Sequence, residues 1–193
     1  MRTLLICSAL LAITACQKPA EQPAQGNVAA ADAPTMGPVK GVDRSHRGKA
    51  APDATFKDPD GEETSIAELS GKPVLVNLWA TWCAPCVKEL PTIDRLAAAQ
   101  EKGGGVQVIA VSQDTGPHAS VVAFVESHKI QTLGAYQDDK MALSGALGPD
   151  TVLPTTILFD AQGKEVWRYV GDLDWTSAEA AKLLSEAGAP TPR

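Results

Sequence analysis

The apolar run Val74-Leu75-Val76-Asn77-Leu78-Trp79 passes through Ala80-Thr81 into Trp82-Cys83-Ala84-Pro85-Cys86, and a helical stretch follows at once. A buried strand that hands over to a helix with two thiols on its first turn admits few folds, since the strand needs sheet neighbours and the helix must cover one sheet face. A cysteine at a helix start meets unpaired backbone N–H groups and the positive end of the helix dipole, both of which favour thiolate over thiol. Such placement lowers a cysteine pKa from ~8.5 to roughly 3.5–7.5. The three-residue offset sets Cys86 about one turn behind Cys83, close enough to close a disulfide without unwinding the helix. A pair so placed can exchange electron pairs reversibly.

The same spacing is also half of a zinc site, but tetrahedral zinc needs two more N or S ligands. The other cysteines, Cys7 and Cys16, lie at the extreme N-terminus, and His46, His118 and His128 show no ligand spacing, so no metal site is expected. A soft metal such as copper held by the dithiol alone is the remaining metal reading, and it finds no neighbouring His or Met ligand: Met141 is the one methionine of the expected domain.

The N-terminus bears on compartment. Arg2 is followed by an apolar stretch from Leu4 to Ala15 broken only by Ser8 and Thr14, the pattern of a secretion signal over residues 1–15. It is too short for a membrane span of ~20 residues. Its end, Leu11-Ala12-Ile13-Thr14-Ala15-Cys16, resembles the lipobox of bacterial lipoproteins, which implies that Cys16 is acylated and becomes the first residue of the mature chain. An ordinary signal cut at the same place would leave Cys16 as a free thiol. With lipid on Cys16 and Cys7 removed, only Cys83 and Cys86 remain for chemistry.

Residues 16–50 read as a tether rich in Ala, Pro, Gln and Gly without hydrophobic period. Its flexible reach is roughly 30 Å. The basic cluster Arg44-Ser45-His46-Arg47-Gly48-Lys49 reads as a solvated stretch, with contact to anionic headgroups as the alternative. Residues 51–193 then form one domain. Net charge is −6, or −7 once Arg2 is removed, which argues against a nucleic-acid partner.

Within that domain the elements alternate. Thr55-Phe56 and Glu62-Glu63-Thr64 flank the turn signal Asp58-Pro59-Asp60-Gly61 and predict a hairpin. Val74–Trp79 and Val106–Ser112 predict buried strands, and Cys83–Gln100 a helix ended by Gly103-Gly104-Gly105. Helices are expected over Ser120–Lys129, Lys140–Leu147 and Ser177–Glu186, the last N-capped by Thr176 or Ser177. Thr155–Phe159 and Glu165–Val170 predict a second hairpin across Asp160-Ala161-Gln162-Gly163. The fold class is α/β, a central mixed sheet covered on both faces.

From about Ala51 to Glu186 the chain resembles the thioredoxin superfamily, and within it the TlpA/ResA group of membrane-tethered bacterial thiol-disulfide oxidoreductases. The resemblance rests on the strand running into Trp82-Cys83-Ala84-Pro85-Cys86, on Pro91, on Leu153-Pro154-Thr155 opening a late strand, on the N-terminal β-hairpin, and on extra helical material between Ser112 and Pro154. It implies a thioredoxin-like fold with a helical insertion before a cis-Pro strand.

Cys83, at the helix start, is expected to be the attacking thiolate, and Cys86, further into the helix, the buried resolving thiol. Pro85 suits the first helical turn, where its missing N–H costs nothing. Trp82 is expected to shield the dithiol or help dock a client, with core packing beside Trp79 as the alternative. Glu89, three residues after Cys86, falls on nearly the same helix face. The resemblance places at this position a buried glutamate that exchanges a proton with the resolving cysteine. The superfamily's usual strand aspartate is here Asn77, which cannot titrate. The resemblance also implies a cis bond before Pro154, with the Leu153 backbone beside Cys83 where an extended client could pair.

The resemblance further implies that no bound cofactor is needed beyond the Cys83/Cys86 disulfide. It implies a periplasm-facing reductant of protein clients, of the kind acting on apocytochrome c or copper-assembly proteins, fed by a membrane electron donor of the DsbD/CcdA type. A thiol oxidase of the DsbA kind is a competing reading, although a domain of ~140 residues leaves little room for the large helical insertion of that group. A peroxiredoxin is a poorer match, since Cys83 lacks the Pro-x-x-x-Thr-x-x-Cys setting.

Overall fold

Strand β4 (Val74–Trp79) is buried at all six residues, because it is central in the sheet and both its faces are covered. Its alternation assigns the two sides. Leu75 and Trp79 enter one apolar core, and Val74, Val76 and Leu78 enter the other. Asn77 therefore shares the Leu75/Trp79 side, a polar residue set into an apolar face.

The computed structural model describes residues 39–103, 105–149 and 151–188. Beyond β4 it contains β1 (Gly41–Asp43), β2 (Thr55–Lys57), β3 (Glu63–Ser65), β5 (Gln107–Ser112), β6 (Tyr136–Gln137), β7 (Thr155–Phe159) and β8 (Glu165–Val170). The helices are α1 (Ala84–Gly103), α2 (His118–Ser127), α3 (Ala142–Leu147) and α4 (Ala178–Leu184). One mixed sheet runs in the order β1-β8-β7-β4-β5-β6-β2-β3, with β4 parallel to β5 and antiparallel to β7. Helix α1 makes the crossover from β4 to β5, and its residues Cys86, Leu90, Ile93 and Leu96 join the Leu75/Trp79 core together with Leu183 of α4. On the other face, Leu143 and Leu147 of α3 pack with Phe56, Ile66 and the inward residues of β4, β5 and β7. Each such fully buried large side chain stabilises the fold by about 1.5–3 kcal/mol before entropy is counted.

Both expected hairpins form. Asp58 Oδ1 accepts from the backbone N–H groups of Asp60 and Glu62 at 2.9 Å, and Gly61 takes φ +85°, which closes the β2–β3 turn. The β7–β8 turn closes in the same way on Asp160 Oδ1, which accepts from Gln162 and Lys164 at 2.9 Å. Ser177 caps α4 as expected, accepting from Ala180 N–H at 3.2 Å.

Two parts differ from the sequence reading. The sheet begins before Ala51: Gly41, Val42 and Asp43 pair with Val170, Tyr169 and Arg168 at the β8 edge, and Ala50 bridges to Lys164. The end of the segment assigned to a tether is therefore folded. Its basic cluster is tied down, since Arg44 and Arg47 both pair with Glu186 and His46 Nδ1 accepts from Arg168 at 3.2 Å. The physical reason is that β1 is recruited by an otherwise open strand edge through backbone groups, which need no hydrophobic period. The second difference is β6, two residues long, which joins β5 to the N-terminal hairpin and lies between the two helices of the expected insertion. The expected signal, residues 1–15, and Cys16 lie outside the described residues. No described helix is long and apolar enough to cross a membrane.

Candidate active site

Chain direction brings the site together at the C-terminal end of β4. Cys83 N–H donates to the Ala80 carbonyl at 3.1 Å and its own carbonyl accepts from Val87 N–H at 3.0 Å, so Cys83 occupies the N-cap position of α1. Pro85 is the second helical residue, where the missing N–H is no loss. A disulfide joins Cys83 to Cys86 across a Cα separation of 5.2 Å. Cys83 is 6% exposed and Cys86 fully buried, so Cys83 is the more accessible sulfur of the pair. Trp82 is 69% exposed, so the core-packing alternative for it is set aside, while Trp79 packs inward against Phe124.

The loop before Cys83 is fastened by a residue that sequence reasoning missed. Asp114 accepts from Thr81 N–H at 2.9 Å, Thr81 Oγ1 at 2.7 Å and Ser112 Oγ at 2.7 Å. A carboxylate with three donors is a firm anchor. Two further aspartates act alike: Asp94 accepts from the backbone of Gln131, Thr132 and Leu133, and Asp138 from that of Ala142, Leu143 and Ser144. The second of these starts α3, whose Ser144 and Gly145 line the same groove as Cys83. The available signal was positional, since polar residues at the C-terminal ends of parallel strands, here Ser112-Gln113-Asp114, mark where ligands meet α/β sheets.

Behind the disulfide lies a buried carboxyl. Glu89 is 3% exposed. Its Oε1 accepts from Asn77 Nδ2 at 2.8 Å and its Oε2 from Leu173 N–H at 3.0 Å. Asn77 Nδ2 also donates to Thr156 Oγ1 at 2.9 Å, a contact set by register because Asn77 and Thr156 are directly paired between β4 and β7. Burial pushes the Glu89 pKa up to about 7, against the opposing pull of the Leu173 N–H, the Asn77 amide and the Trp175 indole N–H; the charge of Asp172 adds a smaller upward push. The indole N–H of Trp175 is directed at this carboxyl without meeting hydrogen-bond geometry. Asp172 itself pairs with Lys40 at 2.7 Å. The segment from Gly171 to Trp175 thus covers Glu89, and the sequence did not announce it, because its hydrogen bond to the carboxyl comes from the Leu173 backbone N–H.

The bond before Pro154 is cis, as expected. Leu153 and Cys83 line one groove of about 660 Å³, with Trp82 and Met141 at its walls. Met141 takes φ +53°, uncommon for a residue other than glycine, and remains half exposed there. Among the described residues no three His, Cys, Asp or Glu side chains gather as a metal-binding group.

A thioredoxin-like sheet with a Cys-x-x-Cys disulfide at a helix N-terminus defines a thiol-disulfide oxidoreductase. The Redoxin family profile matches residues 46–184, and the chain belongs to that family. It is 33% identical over 126 residues to the thiol-disulfide oxidoreductase ResA of Bacillus cereus, covering 65% of this chain and 70% of the relative. Identity to ResA of Bacillus subtilis is 32% over 127 residues, covering 65% and 68%. Among solved structures, one from Chlorobium tepidum described as a thiol:disulfide interchange protein DsbE superposes with a TM-score of 0.62 at 26% identity, over 74% of this chain and 98% of that one.

Proposed function

We propose that this chain is an extracytoplasmic reductant of client protein disulfides, lipid-anchored through Cys16, with Glu89 as the proton carrier of the buried sulfur. The observation that carries the reading is Glu89 itself, a buried carboxyl with a pKa pushed to about 7, three helical residues from a fully buried Cys86. A general base is most effective with its pKa near the working pH.

The reaction starts from the reduced pair. The Cys83 thiolate attacks one sulfur of the client disulfide; a Cys83–client disulfide forms, and the other client sulfur leaves as thiolate and takes a proton from water. Ionised Glu89 then takes the Cys86 proton. The Cys86 thiolate attacks Cys83 Sγ, which closes the Cys83–Cys86 disulfide and expels the second client thiolate. Two electrons pass from the pair to the client, leaving the pair oxidised. A membrane dithiol donor of the DsbD/CcdA type restores it by the same exchange in reverse. Trp82 and Leu153, which line the groove with Cys83, and Pro154 next to Leu153 in the chain receive the client; Pro85 and Asn77 support the site. The haem-attachment cysteines of apocytochrome c, or the thiols of copper-assembly proteins, are the proposed clients. The resemblance to ResA supports this reading.

The test is the equilibrium reduction potential of the Cys83/Cys86 couple in the full chain carrying Cys7→Ser and Cys16→Ser, titrated against dithiothreitol or glutathione. A value at or below about −220 mV is expected of a dedicated reductant. A value near about −120 mV makes the protein a disulfide donor and overturns the reductant assignment.

A further inference from the structure

The groove beside Cys83 is apolar except where two side chains bring polar atoms that nothing in the fold uses. Gln113, just past the end of β5, is 2% exposed and lines the groove. Its backbone N–H donates to the Trp79 carbonyl at 2.7 Å and its Nε2 to the Val111 carbonyl at 3.4 Å, while its Oε1 is buried with no partner. Reversing the amide would set Oε1 against the Val111 carbonyl, so the oxygen is the free atom. Thr151 lines the same groove, and its Oγ1 is likewise buried without a partner, although its backbone N–H is satisfied by the Gly148 carbonyl at 3.1 Å. By contrast, Ser144 in this lining spends its hydroxyl on the Met141 carbonyl.

Buried polar atoms are nearly always paired, and the exceptions call for an explanation. Four others occur among the described residues, on Asn77, Trp79, Gln137 and Trp175, and none of those residues lines this groove. The two that do are complementary to a peptide main chain: Gln113 Oε1 is an acceptor for N–H, and the Thr151 hydroxyl is a donor for C=O. No described side chain of the lining is charged, which suits main-chain dipoles and apolar flanks.

We infer that Gln113 and Thr151 read the client main chain, holding the extended segment around its reacting cysteine while Trp82, Met141 and Leu153 cover the apolar side chains beside it. Gln113 Oε1 accepts a client backbone N–H, and the Thr151 hydroxyl donates to a client carbonyl. Both residues touch substrate and neither takes part in the sulfur exchange. The inference rests on the thiol-disulfide exchange proposed above and adds how the client is distinguished from a small disulfide. The occupant is an extended peptide with apolar residues next to its cysteine.

The test compares two oxidants of the reduced full chain carrying Cys7→Ser and Cys16→Ser: a disulfide-bonded peptide with apolar flanks, and bis(2-hydroxyethyl) disulfide, which has no peptide group. Gln113→Leu and Thr151→Val are each expected to slow exchange with the peptide about tenfold, the equivalent of about 1.4 kcal/mol. Exchange with the small disulfide and the Cys83/Cys86 potential stay within experimental scatter, and Thr151→Ser restores the peptide rate. Equal slowing with both oxidants, or no slowing with either, overturns the assignment of client reading to these residues. A parent chain inert to both oxidants overturns instead the exchange reading on which it rests.

Discussion

Asn77 Nδ2 donates to Glu89 Oε1 at 2.8 Å, so the strand that leads into the cysteines and the helix that carries them meet at a single buried hydrogen bond. The amide donates to the carboxyl in either protonation state, which leaves Glu89 free to titrate while its position is held.

Glu89 makes stability depend on pH in a defined direction. Its folded pKa of about 7 lies above the ordinary 4.5, so between these values the folded chain binds a proton that the unfolded chain has released. The stabilisation is fully present below pH 4.5 and is lost as pH rises toward 7; roughly 3 kcal/mol is at stake. Glu89→Gln cannot ionise and gives up one of the two acceptor oxygens, a constant offset. Urea unfolding at pH 4.5 and pH 8 should therefore show the variant gaining on the parent chain by up to roughly 3 kcal/mol across that interval. Parallel pH profiles of the two proteins would show that Glu89 does not titrate there.

Kinetics should carry the same signature. Release of client from the mixed disulfide requires deprotonation of Cys86, so its rate in the parent chain rises through about pH 7 and then levels. With Glu89→Gln the step slows by at least about 100-fold, and the inflection near 7 disappears. Stopped-flow measurement of mixed-disulfide decay checks this; an unchanged inflection would assign the proton to another group.

Asn77→Asp is the informative variant on the strand. It replaces the donor at 2.8 Å with a second carboxyl, and two like charges at that distance cannot both ionise in a buried site. The pair then shares a proton, and its upper apparent pKa moves above the value of about 7 held by Glu89 alone. The pH profile for client release is expected to lose its single inflection near 7 and to follow the two apparent pKa values of the pair, with the chain destabilised progressively as pH is raised.

Much of this arrangement was legible in the sequence, and the reason lies in which interactions leave a pattern. Leu75 and Trp79 face one core while Val74, Val76 and Leu78 face the other, which is a period of two. The buried face of α1, made by Cys86, Glu89, Leu90, Ile93, Leu96 and Ala97, repeats at helical spacing. The cysteine pair stood out because residue type and spacing carry its chemistry, whereas the roles of Glu89 and Pro154 were legible only through the family resemblance. What stayed hidden works through the backbone. β1 and β6 are three and two residues long, too short for any period, and are recruited by strand edges. Asp114 and the cap of Leu173 on Glu89 act through contacts between residues far apart in sequence, which composition does not report.

The folded start of the chain has a measurable weight. A chain beginning at Ala51 loses the three β1 pairs with β8, the Ala50 bridge to Lys164 and both arginine partners of Glu186, and it bares the β8 edge. At about 1 kcal/mol net per backbone hydrogen bond, the loss is expected to reach at least roughly 2 kcal/mol relative to a chain beginning at Val39. An open edge also favours pairing between chains. Urea unfolding and light scattering of the two proteins check this, and equal midpoints would show that β1 adds nothing to the sheet.

Asp114 separates the position of the reactive loop from the stability of the sheet. Its carboxylate holds Thr81 by both backbone and side chain, two residues before Cys83, and also takes the Ser112 hydroxyl. Asp114→Ala leaves the Thr81 N–H and two hydroxyls without their acceptor at a partly buried site, a cost of about 1–3 kcal/mol. Thr81→Val removes only the hydroxyl contact and keeps the backbone N–H bonded, so its cost should be about 1 kcal/mol. If the anchor serves to present Cys83, exchange with a protein disulfide should fall in the order parent, Thr81→Val, Asp114→Ala, and the fall should persist well below the unfolding midpoint, where all three chains are folded. Rates that match the parent once the folded fraction is taken into account would reduce Asp114 to a contributor to stability alone.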